Sequence, residues 1–498
     1  MNYRSKLLPA ALAVATAAVF TVGGCHRVTE LSDAGPVAAD FAGQLSTQVT
    51  TEAMLTHLQK LQDIADDNGG TRAVGTPGYD ASVDYVVKVL EDNGFEVQTP
   101  EFNAKVFESE PGELTAGTIK MEVRALEFSQ PADGDGVTGP LVVAKPGDDT
   151  PGCTKDDYDG LPVDGAVVLV DRGECPFSEK EAAAAAKGAK ALIVADNVDE
   201  EKMGGTLGPD ADVTLPVVSI TKAQGAKLRE HRGDATVKLK AETKNIHSRN
   251  VIAQTETGSI ENVVMVGAHL DSVPEGPGIN DNGSGVAAVL ETAVQLGDHP
   301  EVNNAVRFGF WGAEELGLIG STKYVESLAY DELKDIALYL NFDMLASPNA
   351  AYLTYDGDQS LPLDKRGRPI VPEGSPGIER LLVDYLEQEG KTADDATFDG
   401  RSDYDAFTKA GIPSGGLFSG AEGEMTVEQA EMWGGKAGQP YDPNYHKEGD
   451  TLDNINKQAL GILGGGVGYA VGYYSQNVAG RNGVAEFADR VRHTQTTP

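Results

Sequence analysis

Three apolar runs in this chain each end on side chains of the kind that hold metal ions, and this constrains the fold more than any other feature. Residues 262–268 (NVVMVGA) lead into His269-Leu270-Asp271. Residues 305–312 (AVRFGFWG) lead into Glu314-Glu315, and residues 336–342 (IALYLNF) lead into Asp343. Uninterrupted apolar runs that turn polar only at their C-terminal ends are the pattern of central parallel strands, covered on both faces. In an open α/β sheet the functional crevice lies outside the carboxyl ends of the strands. Asp281 joins the series from a Gly-rich loop that opens a helix (GINDNGSG, 278–285), and His446 closes it. Two imidazoles and several carboxylates in one crevice are a donor set suited to zinc. One carboxylate left over from coordination would serve as general base, which is the composition of a two-metal hydrolytic site. Singly, each of these residues reads as an ordinary structural or solvated group. The ordered series carries the metal reading, and Glu314-Glu315 is its most specific part, because adjacent carboxylates repel unless a cation or proton lies between them.

A chain of 498 residues is too long for one simple core, so at least two domains are expected. Amphipathic helices are predicted over residues 51–65 and 81–93, with a turn-rich loop (TRAVGTPG, 71–78) between them. Character changes near residues 130–136 (QPADGDG), where short β runs begin at 141–143, 166–170, 191–195 and 216–220, with one Ala-rich helix over 179–187. That block holds none of the metal candidates and interrupts the rest, as an inserted domain does. From Arg249 the β/α alternation resumes, with helices over 284–296, 378–388 and 457–476; the last carries Gly464-Gly465-Gly466, a signal of close packing or a bend. The predicted organisation is a catalytic domain in two parts, 46–130 and 246–480, around an insert at 131–245, with a flexible tail at 481–498. The formal net charge of −37 speaks against nucleic-acid partners, whose phosphates would be repelled.

The N-terminus reads as a targeting segment. Arg4 and Lys6 precede an apolar stretch over 7–22, too short and too interrupted by small residues for a spanning helix. The junction Val22-Gly23-Gly24-Cys25 resembles a bacterial lipobox, which implies a signal peptide over 1–24, lipid on Cys25 and a tether over 25–45. The implied place is outside the cell, anchored at the outer face of the membrane, with some release. The chain has three cysteines; with Cys25 lipidated, Cys153 and Cys175 remain as an even pair, expected to oxidise outside the cytoplasm.

Longer motifs carry a family resemblance over about residues 46–477: GAHLDSV, GINDNGSG, FGFWGAEELGLIGS, YLNFDM, GRSDYDAF, AGIPSGGLFSGAE and YHKEGDT. The chain resembles the secreted bacterial di-zinc aminopeptidases, especially lipoprotein members, and DRGECPF (171–177) resembles a protease-associated domain. The resemblance implies a three-layer α/β/α domain with a mainly parallel central sheet, plus an inserted β-rich protease-associated domain. It implies two Zn2+ per chain: His269 and Asp343 on one, Glu315 and His446 on the other, Asp281 bridging. Glu314 would be the general base, Asp271 would orient His269, and Tyr445 would donate to the oxyanion. Gly400, Arg401 and Phe418 would line the pocket for the amine and the first side chain. A cis peptide after Asp281, a monomer and peptide substrates with a free N-terminus are further expectations. Without the resemblance, Asp271 reads as a loop cap and Tyr445 as a rim aromatic.

Two positions depart from the family's pattern. Relatives often carry cysteines flanking the Tyr-His pair, where this chain has Asn444 and Gly449, so another interaction must hold that loop. Tyr404 stands where a His is common. A second di-zinc group, the amidohydrolases and carboxypeptidases with a dimerisation lid, shares an HxD element. It places its bridging Asp much farther along and its second domain after the Glu pair; here Asp281 follows His269 by twelve positions, and the insert precedes both. Two other functions stay open from sequence: a zinc-dependent glutaminyl cyclase-like acyltransferase, which would work with one metal, and a noncatalytic peptide-binding lipoprotein, which would have lost ligands or base.

Overall fold

The computed structural model describes residues 34–144, 151–173, 175–199, 203–362, 369–480 and 483–495. The signal peptide and Cys25 therefore lie outside the described residues. The apolar runs become the centre of an eight-stranded sheet, in the order Val97–Gln98, Val251–Gln254, Asn304–Trp311, Ser259–His269, Ile336–Phe342, Ser414–Phe418, Leu353–Tyr355, Asp394–Ala396. Ser259–His269 pairs in parallel with both Asn304–Trp311 and Ile336–Phe342, and the latter pairs in parallel with Ser414–Phe418. Antiparallel strands are confined to the flanks. Chain order reverses at Ser259–His269, whose two neighbours in the sheet both follow it in sequence. That creates the crevice at the strand ends where His269, Glu314 and Asp343 emerge.

The central strands are buried on both faces because helices cover both. On one face Val264 and Val266 pack with helices Thr51–Asp67, Gly285–Leu296 and Lys457–Gln476. On the other, Met265, Trp311 and Tyr339 pack with Phe407 of helix Tyr404–Lys409 and Val325 of helix Ile319–Ser327. The result is the three-layer α/β/α arrangement. The glycines of Lys457–Gln476 permit close helix contact. A Cβ on Gly464 would meet Met54 Sδ at 2.4 Å, and a Cβ on Gly472 would meet Ala42 Cα at 2.8 Å.

That contact corrects one expectation. Residues 25–45 were expected to form a flexible tether, yet Ala34–Gln48 is a helix packed along Lys457–Gln476, with Ala38, Ala42 and Leu45 buried. The C-terminal segment differs too. Instead of a frayed tail, residues 483–495 return to the sheet domain. Arg490 donates to the carbonyls of Glu261 and Lys334, and Arg492 to those of Leu333, Ile336 and Gly411. Polar composition hid this, because the arginines bind backbone carbonyls rather than an apolar surface.

The insert is a closed seven-stranded barrel that includes Gly112–Ala116 and Ile119–Ala125, ahead of the boundary expected at residue 131. These early strands close the barrel through Asp234–Leu239 and Val217–Ile220. A ribbon of Glu101–Ser109 paired with Ala241–Arg249 joins the barrel to the sheet domain. Cys153 and Cys175 form a disulfide within the insert.

Replacing Arg492 by Ala should remove the donor from three carbonyls, two of them buried, and lower stability by roughly 2–4 kcal/mol. Chemical denaturation of the variant measures this, and an unchanged midpoint would restore the frayed-tail expectation.

Candidate metal centre

The crevice brings together all five predicted ligands. His269, at the last position of Ser259–His269, is 1% exposed. Its Nδ1 lies 3.0 Å from the backbone oxygen of Asp271, which places the ring proton on Nδ1 and leaves Nε2 as the ligand atom. That Nε2 lies 3.2 Å from Asp281 Oδ1 and 3.3 Å from Asp343 Oδ1. On the other side, His446 Nε2 lies 3.2 Å from Asp281 Oδ2 and 3.0 Å from Glu315 Oε2. Asp281 thus presents one oxygen to each imidazole, as a bridging carboxylate does.

The donor set fits a pair of cations. Asp343 Oδ1 and Glu315 Oε1 are buried without a hydrogen-bond partner, while Asp343 Oδ2 accepts from Ser402 Oγ at 2.7 Å. A buried carboxylate oxygen left without a donor is costly unless a cation is to be bound there. With the protein groups alone, burial drives the Glu314 carboxyl well above its usual range, reinforced by Glu315 and Asp343 against the opposing His269. Burial and Asp281 push Glu315 up to about 7. Burial would lower the His446 pKa, but hydrogen bonds to Asp281 and Glu315 outweigh it and hold it at about 10. A site that must trap protons to relieve its own repulsion is a site built for positive charge.

Local backbone geometry serves the same end. Ala313, Met344 and His446 adopt left-handed conformations, with φ of 57°, 59° and 55°. The first precedes Glu314 and the second follows Asp343. Such conformations in non-glycine residues persist where the surroundings over-determine them, often at functional sites. The peptide Asp281–Asn282 is cis, as the resemblance implied.

Several supports were not singled out from sequence. Arg72, completely buried, donates from Nε to the Pro277 carbonyl at 2.8 Å and from Nη2 to the Gly278 carbonyl at 2.6 Å, and Nη1 reaches the Leu270 carbonyl. One guanidinium therefore clamps both ends of the loop between His269 and Asp281. Asp450 accepts from the amides of Asn280 and Asp281, at 2.7 and 2.9 Å. Asp442 accepts from Asn280 Nδ2 at 2.6 Å and from the Asn444 amide at 2.7 Å. These bonds tie the His446 loop to the Asp281 loop. Asn444 also packs on Gly449, where a Cβ would meet Asn444 Oδ1 at 2.6 Å. Arg72 lies about 200 residues from the loop it clamps, and its only local signal is a charged residue inside a turn-rich stretch.

Asp271 makes further contacts besides the one expected to His269. Its backbone oxygen receives the His269 ring, while its carboxylate accepts from the amides of Glu314 and Glu315, at 3.2 and 3.3 Å. The carboxylate stands 3.7 Å from His269 Nδ1. Asp271 thereby holds the Glu pair as well as the imidazole.

A cavity of about 370 Å³ opens beside the centre and includes Arg401, Phe418 and Tyr445 in its lining. Arg401 pairs with Glu422 at 2.8 Å and donates from Nη2 to Tyr445 Oη at 3.2 Å. Tyr445 stacks on His446, with centroids 3.8 Å apart. Gly400 does not line the cavity. Its amide donates to Tyr404 Oη at 3.0 Å, and Tyr404 Oη donates to Asp399 Oδ1 at 3.0 Å, so the largely buried Tyr404 braces the turn and also lines the cavity.

Comparison with known proteins agrees with this geometry. The model for peptidase family M28 matches residues 250–471, and that for the PA domain matches residues 137–228. The chain is 65% identical to a probable lipoprotein aminopeptidase, LpqL, of Mycobacterium tuberculosis, covering 100% of both. The chain belongs to peptidase family M28. This M28 peptidase is also 40% identical to an aminopeptidase of Pseudomonas aeruginosa, over 95% of the chain and 92% of the relative. Among solved structures, an aminopeptidase from Aneurinibacillus sp. strain AM-1 superposes with a TM-score of 0.70 at 30% identity, over 86% of this chain and 95% of that one. A zinc aminopeptidase from Bacillus subtilis superposes with a TM-score of 0.60 at 28% identity, over 85% and 94%.

Arg72→Met should cost about 3 kcal/mol or more, because buried carbonyls lose their donors, and should weaken zinc retention with it. Denaturation and elemental analysis after dialysis check both. A variant that holds zinc as the parent does would remove Arg72 from the support of the centre.

Proposed function

We propose that this zinc-dependent aminopeptidase works with two ions held around Asp281 and removes the first residue of peptides outside the cell. The observation that carries the two-ion reading is Asp281 itself, whose two oxygens face different imidazoles at 3.2 Å each. His269 and Asp343 would complete one site, Glu315 and His446 the other. When bound, zinc supplies a Lewis acid that acidifies water and polarises the scissile carbonyl.

The chain's own groups do the rest. Glu314 is the carboxylate of the crevice not needed as a ligand, and it takes the proton of the attacking water and delivers it to the leaving amine. Its backbone amide is fixed by Asp271, so the carboxylate enters the crevice from a defined point. Tyr445 Oη receives a hydrogen bond from Arg401, which leaves its own proton for the oxygen of the tetrahedral intermediate. Arg401 is a positioning residue in this reading. Leu353, Tyr355 and Phe418 offer an apolar wall, suited to an apolar first side chain. Glu314 and Asp343 at the inner end receive the free α-amine, which restricts cleavage to the first residue. An acyltransferase using one metal is disfavoured by the completeness of the second ligand pair, and a noncatalytic role by the presence of Glu314.

Placement follows from the N-terminus. Lipid on Cys25 would anchor the enzyme at the outer face of the cell membrane, with the helix Ala34–Gln48 holding the chain to the enzyme. No helix among the described residues is long and apolar enough to cross a membrane. The name of the mycobacterial relative includes the word lipoprotein, which supports this reading. The expected active form is a monomer.

Neighbouring carboxylates should fail differently. Glu314→Gln should lower turnover of a leucyl reporter by about 100- to 10,000-fold while zinc content stays near two per chain. Glu315→Gln should lose zinc and lose activity through that loss. Normal turnover in Glu314→Gln would remove the base assignment, and one zinc in the fully loaded, active parent would overturn the dinuclear reading. Mass spectrometry of the mature chain checks Cys25 separately; a thiol there without lipid would refute the anchor.

A further inference from the structure

A second group of carboxylates lies at the strands that wall the substrate cavity; one of them, Asp395, also borders that cavity, but the peptidase chemistry does not use the group. Asp356, Glu379 and Asp395 bring carboxylate oxygens within 4.8 Å of one another. They come from three separate places: the turn after Leu353–Tyr355, the helix Ser375–Gln388 and the strand Asp394–Ala396. Asp356 and Glu379 are buried, at 6% and 9% exposed. Burial is the main cause that pushes the Glu379 carboxyl up to about 7, against a hydrogen bond from the Asp358 amide at 2.8 Å; the charges that add to it are Asp358, Asp395 and Asp356, all of like sign. Those acting on Asp395 are Asp356, Asp394 and Asp358.

An independent feature points into the same space. Thr354 pairs with Asp395 in a parallel ladder and precedes Asp356 by two residues, so its side chain leaves the sheet on the same face as both carboxylates. Leu417 pairs with Thr354 on that face, and a Cβ on Gly415, two residues before Leu417, would strike Ile378 at 2.5 Å. The face is therefore the one covered by the helix that carries Glu379. Thr354 is 0% exposed, and its Oγ1 has no hydrogen-bond partner. A buried hydroxyl oxygen without a partner, set beside mutually repelling carboxylates, needs a cation more than any other ligand.

We propose that Asp356, Glu379, Asp395 and the Thr354 hydroxyl bind a calcium ion, distinct from the zinc pair. The donors are all oxygen, which selects a hard cation; zinc favours the nitrogen-containing set around Asp281. The ion ties the two outer strands to helix Ser375–Gln388. Leu353, Tyr355, Asp395 and Ala396 of the same strands line the substrate cavity, so calcium braces the cavity wall.

The test uses the full-length, zinc-loaded protein, freed of calcium by desalting and titrated with calcium chloride in a calorimeter. One calcium per chain is expected, with zinc content unchanged and a melting temperature raised by about 3 °C or more at saturation. Glu379→Gln, which removes one anionic ligand, should weaken calcium binding about tenfold or more. In calcium-free buffer it should melt no lower than the parent, because repulsion has been relieved. No calcium uptake by the parent at about 10 mM, well above the range of weak extracellular sites, would overturn the proposal. Unaltered calcium binding in Glu379→Gln would overturn the proposal equally.

Discussion

Carboxylate repulsion at the mouth of the central sheet is the constraint on which the rest of the structure depends. Asp271, Asp281, Glu314, Glu315 and Asp343 converge at the ends of three strands, with Asp403 and Asp450 buried behind them. Burial is the largest cause that lifts Asp403 to about 7 and Asp450 to about 8, with neighbouring carboxylates adding to it. No arrangement of apolar side chains could offset that density of charge. Two imidazoles, the amides received by Asp271 and Asp450, and the fully buried guanidinium of Arg72 supply part of the compensation. The unpartnered oxygens of Glu315 and Asp343 mark the part left to metal.

The surrounding scaffold is arranged to hold that charge still. Each ligand leaves a buried strand or a loop pinned at both ends, so the donors are placed by elements that cannot relax without opening the core. Arg72 and Asp450 grip the Asp281 loop from opposite directions, one through carbonyls and the other through amides. Preorganisation of this kind lets electrostatic catalysis act without reorganisation during the reaction. The insert hangs from a two-stranded ribbon and contributes none of the ligands, so its barrel and disulfide form a separate unit of stability.

Much of the fold was legible because the central strands are hydrophobic throughout and the helices amphipathic. Ile336–Phe342 coincides with its predicted run, and Lys457–Gln476 with its predicted helix. The misjudged segments share one cause: their partners are distant and polar. Arg490 and Arg492 satisfy carbonyls between 81 and 229 positions away, and nothing in their neighbourhood signals it. Ala34–Gln48 is a modest helix by itself and is ordered by glycines at the far end of the chain. The barrel's first strands fell on the wrong side of the expected boundary because their closing partners lie about 100 residues later.

By itself the sequence determined the sheet, the order of the ligands and the chemistry they imply, because runs of apolar residues and ligand-type side chains are local properties. Its motifs also carried the family. Only the tertiary structure decided which oxygen of Asp281 faces which imidazole, that Asp271 grips the Glu pair by its carboxylate, and that Asp442 and Asp450 tie the His446 loop to the Asp281 loop. It alone brought Thr354, Asp356, Glu379 and Asp395 to one face. The physical reason is that charge interactions and hydrogen bonds depend on distances of a few ångströms between residues far apart in the chain. Those distances exist only once the strands have paired.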